Sequence, residues 1–301
     1  MRMKDYNELT IADDYMFCNV LSNYEDVCQG FLERILGREI GGIVHLSNQK
    51  AIKLTPDGHG VRFDIYLEDD KNTIYDIEMQ TSHYEDIPLR SRYYQAMIDQ
   101  AALHRGRKYK DLKNSIVIFI VLKDIFELGY NVYEFEERCN HDTSLKLNDG
   151  TLRLIVNAER VLDDASPELQ NLIRYISTGV ATDEFTELLE TRVAQARKNS
   201  EWGDSYMTLQ EKYNYIYEDA LVEGREAGLI EGREAGLAEG REAGLAEGRE
   251  AGLAEGRSIQ AVKSIDIIVE RYNRPLAEVC EAMGYTVEDY NAVKNSLNSQ
   301  L

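Results

Sequence analysis

Two acidic side chains, Asp64 and Glu78, stand on neighbouring runs of alternating character, residues 61–67 and 73–80. Successive side chains of a strand point to opposite faces. Alternation therefore puts Ile74, Asp76, Glu78 and Gln80 on one face of the second run and Tyr75, Ile77 and Met79 on the other. In the first run it puts Arg62, Asp64 and Tyr66 together, opposite Phe63, Ile65 and Leu67. The polar stretch 68–72 reads as a hairpin turn, and pairing across it brings Asp64 near Glu78. Two carboxylates and a backbone carbonyl gathered at a sheet edge make a hard-oxygen site suited to Mg²⁺. Water on such an ion loses a proton more easily and can attack a phosphodiester. The same alternation also describes the solvated face of an antiparallel hairpin. Against that, successive polar side chains on one face in an apolar neighbourhood are costly unless they serve a purpose.

A helix is expected over residues 87–104, opening near Pro88. Its Arg90 and Tyr94, four apart, share a face. Arginine can clamp a phosphate through two parallel hydrogen bonds, and tyrosine can stack or donate one. Arg92 and Tyr93 are expected to face the sheet and pair with its carboxylates. Beyond them, Arg105, Arg107, Lys108, Lys110 and Lys113 form the densest basic cluster of the chain. It reads either as a phosphate-tracking, DNA-binding patch or as a solvated rim.

These residues need a frame to position them. Residues 14–36 carry apolar side chains at helical spacing, with Gly37 as a stop. Residues 42–54 hold a strand, and Thr55-Pro56-Asp57-Gly58 is a turn signal. Residues 115–122 are a continuous β-branched run, which suits a strand buried on both faces. The order helix, strand, strand, strand, helix, strand predicts an α/β fold, a mixed sheet flanked by helices. Residues 131–136 and 152–156 are expected as added edge strands. Residues 167–177, 183–196 and 207–222 read as helices.

Residues 223–257 then repeat the octapeptide EGREAGLA, with glycine at every fourth position and nine of the chain's 21 glycines. Glycine costs about 1 kcal/mol against alanine in a helix, so nine cost roughly 9 kcal/mol, which argues against a lone solvated helix. Leucines eight apart drift about 80° around a helix, so no straight apolar stripe forms. Either a close helix contact through Gly and Ala or a semi-flexible spacer fits. Residues 258–301 resume ordinary composition, and 276–297 resemble a small helix-turn-helix. Its second helix opens on Glu288 and Asp289, which suits self-association better than phosphate contact.

The 301 residues carry 34 Lys+Arg against 54 Asp+Glu, a formal charge of −20, which argues against attraction of the whole surface to DNA or membranes. It leaves room for a local basic groove. The best apolar run is far shorter than the ~20 residues of a spanning helix. The opening MRMKDYNELTIADD has no apolar signal-like stretch. Four scattered cysteines and five histidines give no zinc spacing and suit reduced thiols in a cytoplasmic protein.

Five strings together resemble the recombination-promoting nuclease and transposase family of the PD-(D/E)xK nuclease superfamily: DDYMF (13–17), VRFDIYLED (61–69), IYDIEMQ (74–80), RSRYYQAMI (90–98) and the EGREAGL array. The resemblance covers roughly residues 8–260 and is strongest over 13–123. It implies a Mg²⁺- or Mn²⁺-dependent DNA endonuclease with Asp64 and Glu78 as metal ligands, joined by the Met79 carbonyl. Gln80 sits where the superfamily has its lysine. Glutamine can orient a water but brings no charge. Asp14 matches an acidic position of the N-terminal helix, and Cys18 replaces a lysine usual in the family. The expected organisation is a PD-(D/E)xK core over 1–160, a helical extension over 161–222, the repeat over 223–257 and an α-helical C-terminal domain over 258–301. The expected partner is double-stranded DNA, with a homo-oligomer (a dimer or more) formed through the C-terminal region and no membrane. The alternative is a catalytically degenerate scaffold that oligomerises through its repeat and tail.

Overall fold

A computed structural model of the chain describes residues 4–52, 60–82, 84–103 and 106–299. The expected turn at 55–58 and Arg105 lie outside these residues. The elements run α1 (Asp14–Asn23), α2 (Glu25–Leu36), β1 (Ile43–Ile52), β2 (Val61–Asp69), β3 (Thr73–Gln80), α3 (Ile87–Ala102), β4 (Asn114–Val121), β5 (Val132–Phe135), β6 (Arg138–Cys139), β7 (Asp142–Lys146) and β8 (Thr151–Asn157). Then come α4 (Pro167–Thr178), α5 (Glu184–Arg197), α6 (Ser200–Tyr272), α7 (Leu276–Ala282) and α8 (Val287–Ser299). The chain divides into two compact units, Met1–Tyr213 and Asn214–Leu301.

In the first unit, six strands form one sheet in the order β1-β2-β3-β4-β8-β5, while β6 and β7 pair separately. β1, β2 and β3 are antiparallel neighbours. β3, β4 and β8 run parallel, and β5 closes the edge antiparallel. This is the expected mixed sheet. β4, the β-branched run, is buried on both faces. Helices α1, α2, α4 and α5 pack on one side against Ile65, Leu67, Tyr75, Ile77 and Met79. On the other side α3 packs through Ile87, Met97 and Ile98 against Phe63, Tyr66, Ile74 and Phe119.

Two expectations change. The first helix is two, broken at Tyr24, whose φ of −129° is extended. The break lets α1 and α2 each turn an apolar face to the core, and left-handed Gly37 ends α2 as expected. Residues 152–156 are no edge: β8 lies between β4 and β5, as its apolar Leu154, Ile155 and Val156 require.

The β2–β3 turn is fixed by buried Asp69. Its carboxylate accepts hydrogen bonds from the backbone of Gly41 (3.1 Å), Lys71 (3.0 Å) and Thr73 (2.8 Å) and from the Tyr75 hydroxyl (3.0 Å). Asn72 takes the left-handed φ of 65° that such a turn needs.

The second unit holds the array. Residues 223–257 are helical throughout, within α6, and exposed at every position. The leucines 221, 229, 237, 245 and 253 are all more than half exposed, as their 80° drift around the helix dictates. Alanine, leucine, glutamate and arginine at the other positions are the strongest helix formers, and they carry the backbone ladder across the glycines. Near its end, α6 packs with α7 and α8 around Val262, Ile265, Val279, Cys280 and Tyr290. Gly284, at a φ of 75°, makes the turn between α7 and α8. Among the described residues no helix is long and apolar enough to cross a membrane.

A Cβ added at Gly228, Gly236, Gly244 or Gly252 meets nothing within 4 Å. Replacing these four by alanine removes about 1 kcal/mol of helix penalty each. The expected result is a higher melting temperature for the helical signal of the second unit, read by circular dichroism, with the far-UV spectrum at low temperature unchanged.

Candidate metal and phosphoryl-transfer site

The site forms where two strands stop pairing. β2 and β3 pair in order from Glu68↔Ile74 to Ile65↔Ile77. The next partners would be Asp64 and Glu78, and there the ladder ends. Instead the Asp64 N–H donates to the Glu78 carboxylate at 2.8 Å, and the Met79 N–H donates to the Asp64 carboxylate at 3.2 Å. Each strand thus bonds the other's side chain, and the strands fork at the two acids. The hairpin register expected from sequence holds here.

The faces differ in one respect. Phe63 packs with Tyr66 on the α3 side, whereas Ile65 and Leu67 face α1. Alternation through the first run therefore breaks at Asp64.

α1 brings Asp14 and Cys18 to this fork. One carboxylate oxygen each of Asp14 and Asp64 and the Cys18 sulfur lie within 4.8 Å of one another. Cys18 donates to Asp14 at 3.2 Å, and burial, then the Asp64 and Asp14 charges, push its thiol far up, so it stays neutral.

α3 brings Arg90. Its guanidinium donates to the Gln80 side-chain oxygen at 2.7 Å and to the Tyr94 hydroxyl at 3.3 Å. It also lies 3.8 Å from the second Glu78 oxygen. The Gln80 amide nitrogen donates to the Ser82 carbonyl. Tyr94 lies between Phe63, edge-to-face at 5.3 Å, and Phe119, tilted at 5.6 Å. Arg92 and Tyr93, expected to face the sheet, are exposed instead. They fall outside the arc through Ile87, Ser91, Tyr94, Gln95 and Ile98 that meets it.

Asp76 belongs with this group and was not singled out by sequence. It is fully buried, and neither carboxylate oxygen has a hydrogen-bond donor among the described residues. The signal for it lay in the alternation that aligns it with Glu78. Burial, then the Glu78 charge, holds its pKa well above the ordinary carboxylate range. Burial, then Glu78 and Asp14, push Asp64 up as well. Burial raises Glu78 against the pull of the Asp64 N–H, of the neighbouring Asp76 carboxyl and of Arg90. Four carboxylates, Asp14, Asp64, Asp76 and Glu78, thus gather near Arg90, and no donor reaches the buried Asp76 carboxyl among the described residues. A divalent cation bound by hard oxygens answers that deficit of positive charge, so these residues fit one.

The basic cluster stands elsewhere. Arg107, Lys108 and Lys110 are exposed, and Lys113 pairs with Glu68. Asn114 aligns with Thr73 at the start of β3, so the cluster lies at the opposite end of the strands from Gln80. The structure brings Asp14, Asp64, Glu78, Met79, Gln80, Arg90 and Tyr94 together and leaves Arg107, Lys108, Lys110 and Lys113 apart from them.

Residues 11–161 match a family model described as PD-(D/E)XK nuclease family transposase. No curated protein and no solved structure matches the chain.

The raised carboxyls set a pH dependence. A group whose folded pKa exceeds its unfolded value stabilises below the unfolded pKa and loses that contribution as pH rises through the folded one. Glu78 is pushed up to about 7 and Asp64 up to about 9, so the metal-free protein loses stability as pH rises from the ordinary carboxylate range through these values. Removing one of these charges by Glu78→Gln should raise its melting temperature at pH 8 by roughly 2–4 °C, for about 1 kcal/mol. Thermal melts with added Mn²⁺ should stabilise the parent at pH 8 more than at pH 5, and the Gln variant at neither.

Proposed function

We propose that this chain, which belongs to the PD-(D/E)XK nuclease family transposases, is a Mg²⁺- or Mn²⁺-dependent endonuclease that hydrolyses phosphodiester bonds of double-stranded DNA. Recombination and action on invading DNA are both served by such cleavage. The observation that carries the reading is the fork beside Arg90, at which the Asp64 N–H donates to the Glu78 carboxylate and the Met79 N–H to the Asp64 carboxylate.

Asp64, Glu78 and the Met79 carbonyl would hold the ion. Bound there, it supplies Lewis acidity toward a phosphoryl oxygen and acidifies a water. Asp14 would add negative charge beside Asp64 and hold a water at the site. Gln80 orients the attacking water through its amide, whose oxygen is already fixed by Arg90. The superfamily's lysine charge, absent at Gln80, has its counterpart in Arg90, placed from α3 against both Glu78 and Gln80. A guanidinium so held stabilises charge that develops on the phosphate in the transition state. Tyr94 keeps that guanidinium in place and offers a hydroxyl to a phosphate. Arg105, Arg107, Lys108, Lys110 and Lys113 would track the duplex backbone at the far end of the sheet. Self-association, as a dimer or more, is assigned to the C-terminal region.

Nicking of supercoiled plasmid tests the reading. Asp64→Ala and Glu78→Ala should abolish cleavage, and Arg90→Ala should lower kcat by ~10²–10³-fold. Neutralising Arg107, Lys108 and Lys110 together should weaken DNA binding and flatten its salt dependence by about one unit of slope for each phosphate left without its cation, with kcat retained. Cleavage by both acid variants at the parent rate overturns the assignment. No cleavage by the parent, with Mg²⁺ binding that does not depend on Asp64 in calorimetry, favours the oligomerising scaffold.

A further inference from the structure

Asp64 is released on both sides, not one. The β1–β2 ladder runs through Leu46↔Leu67, Ser47↔Tyr66 and Asn48↔Ile65, then resumes at Lys50↔Phe63, Ala51↔Arg62 and Ile52↔Val61. The rung left out is the one that would join Gln49 to Asp64. Gln49 has a φ of 49°, the left-handed region that side chains other than glycine, asparagine and aspartate rarely enter. Left-handed residues are ordinary in tight turns, but this one lies within the ten-residue strand β1.

The missing rung coincides with a change of face in both strands. Leu46, Ile65 and Leu67 pack on the α1 side, whereas Ile52, Val61 and Phe63 pack on the α3 side. In an unbroken strand, residues an even number apart share a face. Leu46 and Ile52 do not, and neither do Phe63 and Ile65. Both strands therefore turn over at Gln49 and Asp64. At that half-turn neither ladder holds the Asp64 backbone, which leaves its N–H for Glu78 and its carboxylate for the Met79 N–H.

We propose that Gln49 is a positioning residue: its left-handed backbone opens the rung opposite Asp64 and so aims the Asp64 amide and carboxylate at Glu78 and Met79. The proposal rests on the reading of Asp64 and Glu78 as divalent-ion ligands. It concerns the backbone of Gln49, whose side chain is exposed. Strain of this kind persists where the surrounding structure over-determines it, and it gathers at functional sites.

Calorimetric titration of the metal-free full chain with Mn²⁺, paired with thermal melts, tests it on five proteins. Gln49→Gly, which takes a left-handed φ without cost, should bind with the parent affinity. Gln49→Val, which resists that φ, should bind roughly tenfold or more weakly, the usual effect of displacing a group that orients a ligand. Asn48→Val, the same side chain at the neighbouring position of β1, should bind like the parent. A purely structural role for Gln49 would move the melting temperature and leave the affinity alone. Parent affinity in Gln49→Val therefore overturns the proposal, whatever its melting temperature. So does an equal loss in Gln49→Gly, because the backbone would then not be the cause. If the valine protein does not fold, Gln49→Thr carries the same test, since it is β-branched but polar. Asp64→Ala binding like the parent would instead sink the ligand reading, and that result is distinct from either of the others.

Discussion

Two hydrogen bonds that cross between β2 and β3 decide the character of this molecule. In a regular antiparallel pair, backbone donors and acceptors satisfy one another and side chains are left to the faces. Here the Asp64 and Met79 amides are given to carboxylates instead. The strands separate at that point, and the acids stay inside the gap rather than swinging into water. The interior around the gap therefore holds more negative groups than positive ones. Arg90 compensates in part, from α3, the helix that packs into the core on that face of the sheet. Asp76 remains without a donor among the described residues. Such a cluster destabilises the fold that contains it. That is the common condition of sites whose purpose is to hold a cation or to act on a charged substrate.

The exposed basic residues and the carboxylates are kept apart along the strands. α3 starts beside Gln80 and its sixteen residues carry the chain back about 24 Å to the other end of the sheet. Arg90, in its first turn, belongs to the carboxylates. The exposed basic residues beyond its C-terminus do not. On the proposed reading, a duplex that touched both would meet charge attraction at one end and the carboxylate fork at the other. The net charge of −20 is thus compatible with a polyanionic substrate, provided that contact is confined to this strip.

Much of this was legible in the sequence. The hairpin, its register and the meeting of Asp64 with Glu78 follow from period-two alternation and a polar turn. The doubly buried β4 follows from an unbroken β-branched run, and the end of α2 from Gly37. Other features were hidden for identifiable reasons. Alternation cannot announce its own interruption, so Phe63 was assigned to the wrong face. Gln49 has a residue type that does not advertise a left-handed backbone, as asparagine or glycine would. The position of the basic cluster depends on β4 running parallel to β3, which no local pattern encodes. Tyr24 carries no breaker signal, and its break comes from two helices that must each meet the core. The helical array ran against summed glycine propensity, because the residues between the glycines favour helix strongly.

The N-terminal segment is fastened by residues far along the chain. The Tyr6 hydroxyl bonds the Ala196 carbonyl, Tyr15 bonds that of Trp202, and Tyr206 reaches back to Lys4. The rings of Tyr6, Tyr15 and Tyr206 lie against one another. α1, which carries Asp14 and Cys18 to the fork, packs on α2 and the early strands but lacks the part of its packing that the later helices supply until the chain has been synthesised past Tyr206. Closing loops of that length is slow compared with local pairing. On a ribosome, the hairpin bearing Asp64 and Glu78 emerges early, and the tyrosine clasp behind α1 closes only after well over a hundred residues of further elongation. A copy that ends before Tyr206 thus lacks the clasp that fastens α1 behind the fork.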